Sequence, residues 1–167
     1  MSRRYYRKRY YNQKKYSVEN KAFRITLNSS QVNNLYQANR NILVNQTIEG
    51  MRKVKNITCT LAIDSNNDQT NPDDLINSIY WAWVYVPSGT SVGNLSLDLN
   101  GSTSWYEPNQ FVINSGVVDP SAGPIRFYSN LSRNLNSGDN IYLVVGSTDY
   151  NVNTHLNCVC RYAITLQ

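Results

Sequence analysis

Ser78-Ile79-Tyr80-Trp81-Ala82-Trp83-Val84-Tyr85-Val86 is apolar on both faces of an extended chain. Its residues are β-branched and aromatic, the types that favour strands, and Pro87-Ser88-Gly89 ends the run. A strand with no polar face is covered on two sides, or forms half of a core and half of an interface. Trp81 and Trp83 are its largest side chains, so this stretch decides where the interior lies.

The flanking segments repeat the strand signal with one polar face. Residues 51–63, MRKVKNITCTLAI, place Ile57, Cys59, Leu61 and Ile63 opposite Asn56, Thr58, Thr60 and Ala62. The basic opening of that run, Arg52, Lys53 and Lys55, is expected to project beyond the core, either adding phosphate contacts or lying solvated. Residues 21–28, KAFRITLN, put Phe23, Ile25 and Leu27 on one face. Residues 29–41, rich in Ser, Asn and Gln, read as a loop, and 42–49 as a short strand. Residues 64–77 form an acidic, Asn-rich loop. Leu95, Leu97 and Leu99 alternate with Ser96 and Asp98 ahead of an Asn100-Gly101 turn. Further strands are predicted at 109–118, 125–131, 140–147 and 155–166, with no convincing helix among them.

This pattern predicts an all-β fold: an antiparallel single jelly-roll sandwich of about eight strands. An immunoglobulin-like sandwich is the alternative, although the usual Cys…Trp…Cys spacing is missing. The chain of 167 residues suits one folded domain, here 21–167, preceded by a basic segment at 1–20.

That segment opens MSRRYYRKRYYNQKKY. Arg3, Arg4, Arg7, Lys8, Arg9, Lys14 and Lys15 are interrupted by no acid, and Tyr5, Tyr6, Tyr10, Tyr11 and Tyr16 sit between them. The whole chain carries +5, so the arm's seven cations leave the remainder at −2. With no apolar face and strong self-repulsion, the arm is expected to be disordered alone. A polyanion changes the balance, because each cation that neutralises a phosphate releases a counterion and each tyrosine ring can stack on an unpaired base. Single strands are therefore favoured over duplex. A solubilising tail or a nuclear-import signal is the plainer reading, and the roles are compatible.

Catalysis has little support. His155 is the one histidine, and neither a G-x-S-x-G nucleophile turn nor a phosphate-cradling glycine loop occurs. His155, Cys158, Cys160 and Cys59 could in principle supply four zinc ligands, but the spacing suits no zinc finger and core packing of the thiols is favoured. Asp64-X-Asn66-X-Asp68 opens like a calcium loop, then fails at Gln69 and Leu75. No catalytic residue, cofactor or metal is expected. The N-terminus lacks the apolar core of a secretory signal, and no apolar run is long enough for a membrane helix, so neither secretion nor a membrane is expected.

Three stretches together resemble the capsid proteins of small circular single-stranded DNA viruses, the circoviruses and their relatives. They are SRRYYRKRYY at 2–11, MRKVKNITCTL at 51–61 and FYSNLSRNLNSGDNIYLVV at 127–145. The last is similar to the paired penultimate strands of such single jelly rolls. Satellite-virus capsid proteins with RNA genomes share the plan. The resemblance implies a subunit that self-assembles into a small icosahedral shell. It also implies an arm facing inward on a single-stranded genome, import into the host nucleus before assembly, and residence in the virion. The runner-up from the residues is a cellular single-strand-binding β-barrel. A carbohydrate-binding sandwich using exposed Trp81, Trp83 or Trp105 comes third.

Overall fold

The computed structural model describes residues 16–32, 34–44, 51–65, 76, 78–90, 95, 97–98, 111–149 and 154–165. Among the described residues ten strands run in the order β1 (Tyr16–Thr26), β2 (Gln31–Val32), β3 (Leu35–Val44), β4 (Arg52–Ser65), β5 (Ile79–Val86), β6 (Phe111–Val118), β7 (Ile125–Ser129), β8 (Arg133–Leu135), β9 (Asn140–Ser147) and β10 (Thr154–Thr165). They make two antiparallel sheets. The first has the order β1-β10-β4-β7, with β8 also paired to β4; the second has the order β2-β3-β9-β5-β6. The one helical element among the described residues is a single 3-10 turn, Pro120–Ala122.

Alternation explains the sandwich. Ile57, Cys59 and Leu61 of β4 face Ile79, Trp81 and Trp83 of β5 across one apolar layer. An aromatic triad ties the sheets together: Trp81 stacks on Phe127 at 4.4 Å between centroids, and Trp83 meets Trp81 edge-on at 5.3 Å. Trp81 and Trp83 are 6% and 0% exposed, so neither can serve as the open platform a carbohydrate site needs. Trp105 lies outside the described residues.

The second face of β5 is covered by the chain itself. Ala82, Val84 and Val86 pack with Leu35, Val144, Leu95 and Leu97. Leu95 and Leu97 were expected in a strand; instead they lie on irregular backbone that lids this face. Gln37, itself buried, holds the lid. Its Nε2 donates to the Leu97 carbonyl at 3.2 Å and the Val32 carbonyl at 2.8 Å, while its Oε1 accepts from the Leu97 N–H at 2.7 Å. The side-chain amide thus replaces a missing backbone partner.

Further expectations need correction. Residues 29–41 are not one loop, because β2 and most of β3 fall there: pairing with β9 and the Gln37 bonds satisfy a polar strand that looked like linker. The strand predicted at 125–131 ends at Ser129, and β8 follows as an additional short strand against the start of β4. Arg52–Lys55 does not project beyond the core, since it is paired to both β8 and β10 and Val54 is buried. The first strand also reaches back to Tyr16, so residues 16–20 are paired with 161–165.

One buried carboxylate closes the end of the sandwich. Asp139 accepts from the Tyr85 hydroxyl at 2.6 Å, the Ser88 N–H at 2.9 Å and the Asn136 N–H at 2.7 Å. It clamps the β8–β9 turn to the end of β5.

Candidate nucleic-acid interface

Cross-strand neighbours share a sheet face, so the register of the first sheet fixes what its outer face displays. Tyr16, Val18 and Asn20 lie opposite Thr165, Ala163 and Arg161. Arg161 and Ala163 lie opposite Thr58 and Lys55, and Lys53 lies opposite Asn134. Thr58 and Thr60 then lie opposite Tyr128 and Arg126. Along the other end, Arg24 lines up with Asn157 and Ala62.

The result is a face with five cations: Arg24, Lys53, Lys55, Arg126 and Arg161. Asp64 is the one acid that the register puts there among the described residues, and it is already engaged. Arg24 reaches it at 3.3 Å, and Asn157 Nδ2 donates to the same oxygen at 3.2 Å. An exposed pair of this kind contributes little to stability but cancels one positive charge. Lys53, Lys55, Arg126 and Arg161 have no acidic partner among the described residues. Between them stand the exposed side chains of Val18, Val159 and Tyr128.

The arm joins this face at its edge. Arg3, Arg4, Arg7, Lys8, Arg9, Lys14 and Lys15, with Tyr5, Tyr6, Tyr10 and Tyr11, lie outside the described residues. The chain enters the described region at Tyr16, whose ring lies 3.8 Å beneath Lys55 Nζ. That cation–π contact puts the last tyrosine of the arm and an outward lysine of β4 together.

Of the three β4 cations singled out from sequence, Lys53 and Lys55 face outward. Arg52 lies on the opposite face and donates from Nε to the Thr165 carbonyl at 3.1 Å, tying β4 to β10. Arg24, Arg126 and Arg161 were not legible as site residues. None belongs to a basic cluster in its own strand, and only long-range pairing brings them beside Lys53 and Lys55.

The other constellations resolve as packing. Cys59, Cys158 and Cys160 are free and buried on the inner face. Hydrogen bonding with Cys158 and Cys160, then burial, pushes the Cys59 thiol far above its ordinary value, which removes thiolate reactivity. His155 lies on the opposite face of β10, with Nδ1 3.0 Å from Thr26 Oγ1. The four-ligand set therefore does not assemble, and no group of three His, Cys, Asp or Glu among the described residues could hold a metal. Asn66 and Asp68 of the calcium-like run lie outside the described residues.

No protein-family model matches the chain, and no curated protein sequence matches it either.

Proposed function

We propose that the chain is a capsid subunit, a single jelly roll that assembles into a small icosahedral shell and packages single-stranded nucleic acid, with DNA the favoured genome; duplex is disfavoured because its bases are already stacked. The observation that carries this reading is the one-sided basic face, which continues the Arg/Tyr arm at Tyr16 and Lys55. In the shell the arm and this face turn inward on the genome, and before assembly the arm serves nuclear import. Phosphates are neutralised without sequence readout, and tyrosines stack on bases. The jelly-roll reading is supported by strand order. With β7 and β8 taken as one interrupted edge strand and the short β2 set aside, eight strands divide four and four. The chain crosses between sheets at nearly every connection.

A second reading is favoured by the same face: a cellular single-strand-binding protein that uses its sheet rather than its tail. Its expected closed barrel is not the architecture of the described residues, whose strands form two separate open sheets. Sedimentation of the purified full chain separates the two. A capsid subunit gives particles of very large size that contain nuclease-protected nucleic acid. A binding module gives a monomer or small oligomer.

A further inference from the structure

The open edge between the two sheets carries a cleft of about 520 Å³ between β6 and β7, floored by Trp81 and Phe127. A second hollow of about 470 Å³ adjoins it on the outer face of the first sheet, beside Asn56 and Thr58. The two share Arg126, Tyr128, Ser129 and Asn130. From this geometry we infer that the shared rim is a binding site for a nucleotide of a single strand, its base against Tyr128 and its phosphate on Arg126. The inference rests on the nucleic-acid reading above and names the place on the folded domain where an unpaired base is held.

Several observations point to that occupant. Tyr128 is 60% exposed although it is a large ring in the middle of a paired strand, so it offers a face that the fold leaves uncovered. Its backbone is nevertheless fixed, because Asn114 Nδ2 donates to the Tyr128 carbonyl at 2.9 Å and ties β7 to β6. A strand held at that carbonyl loses little backbone freedom when a base stacks on the exposed ring. Arg126, on the same side of β7, has no acidic partner among the described residues and belongs to the face that carries Lys53, Lys55 and Arg161.

The walls also suit a base. Asn56, Thr58 and Asn130 offer amide and hydroxyl groups that can donate and accept at base edges. Asn56 sits in the left-handed region at φ 53°, beside the irregularity in the β4–β10 register, and this bulge shapes the hollow. Leu131 and Val117, 60% and 58% exposed, supply apolar rim on the cleft side. A duplex has no unpaired face to present, so the site selects single strands.

Full-length protein is irradiated with a thymine oligonucleotide that carries 5-iodouracil, and crosslinked peptides are mapped. The expected result is a crosslink at Tyr128, in addition to any at the arm tyrosines. Tyr128→Ala is expected to weaken oligonucleotide binding on the order of ten- to a hundredfold, the range for loss of one base stack, with the salt slope unchanged. Tyr128→Phe keeps the ring and is expected to retain affinity. Arg126→Gln is expected to reduce the log–log salt slope by about 0.7. Unchanged thermal unfolding of the variants excludes a merely structural effect. Crosslinks confined to residues 5–16, with tight binding retained by Tyr128→Ala, overturn this site and leave the arm reading standing. Altered sedimentation of Tyr128→Ala at unchanged affinity assigns the cleft to contact between copies, and overturns the proposal. Absence of any oligonucleotide binding by the full chain overturns the functional reading as well.

Discussion

Replacing Asp139 tests how the sandwich is closed. The carboxylate is 2% exposed and accepts three hydrogen bonds, from Tyr85, Ser88 and Asn136. Asp139→Ala removes a charged acceptor and leaves those three donors without it. Hydrogen bonds to a charged group contribute about 1.5–3 kcal/mol each, and water entering the vacated space recovers part, so a loss of about 3–4 kcal/mol is expected. Burial works to raise this carboxyl's pKa, but the Tyr85 hydroxyl and the two backbone N–H groups outweigh it and hold the pKa below the ordinary value. A lowered folded-state pKa stabilises above the unfolded pKa of about 4, and that stabilisation disappears as pH falls through the folded value. The partner titrates in the opposite sense. Burial first, then Asp139, pushes the Tyr85 hydroxyl up to about 12. Its contribution is therefore full below about pH 10 and fades as pH rises through the folded value. Urea unfolding from pH 2 to 11 measures both arms. Asp139→Asn should cost less than Ala at neutral pH and flatten the acid limb. A loss below about 1 kcal/mol for Asp139→Ala, or an unchanged acid limb in Asp139→Asn, refutes the clamp.

Three further outcomes follow from the packing and the charge. Trp83→Ala, at a fully buried position in the aromatic triad, should cost about 3–5 kcal/mol by chemical denaturation and leave little folded protein. Gln37→Leu removes both bonds to Leu97 and should destabilise by about 1–3 kcal/mol, with faster amide exchange at Leu97 than elsewhere in the second sheet. Single-strand affinity should fall with salt at a log–log slope between roughly −5, for the arm's seven cations, and about −8 if Lys53, Lys55, Arg126 and Arg161 join them.

The strongest strands were legible because their patterns are local. Ile57, Cys59 and Leu61 alternate within a few residues, and the two-sided apolarity of 79–86 declares a strand covered on both faces. β3 was hidden because Gln37, Asn39, Arg40 and Asn41 read as linker, and only Leu97 and β9 explain why that polar chain is extended. Leu95 and Leu97 misled in the opposite direction, since an alternating apolar run serves equally well as an irregular lid. The basic face was half-legible. Lys53 and Lys55 stand in a visible cluster, whereas Arg24, Arg126 and Arg161 are separated in sequence and meet only through the register of β1, β10, β4 and β7.

Lysine footprinting of the full chain, with and without a thymine oligonucleotide, tests the shared role of arm and face most directly. Lys8, Lys14, Lys15, Lys53 and Lys55 should become protected together. Lys21, which the register places opposite Cys160 on the other side of β1, should stay reactive. Protection of the arm lysines with Lys53 and Lys55 as reactive as in the free protein would contradict the account.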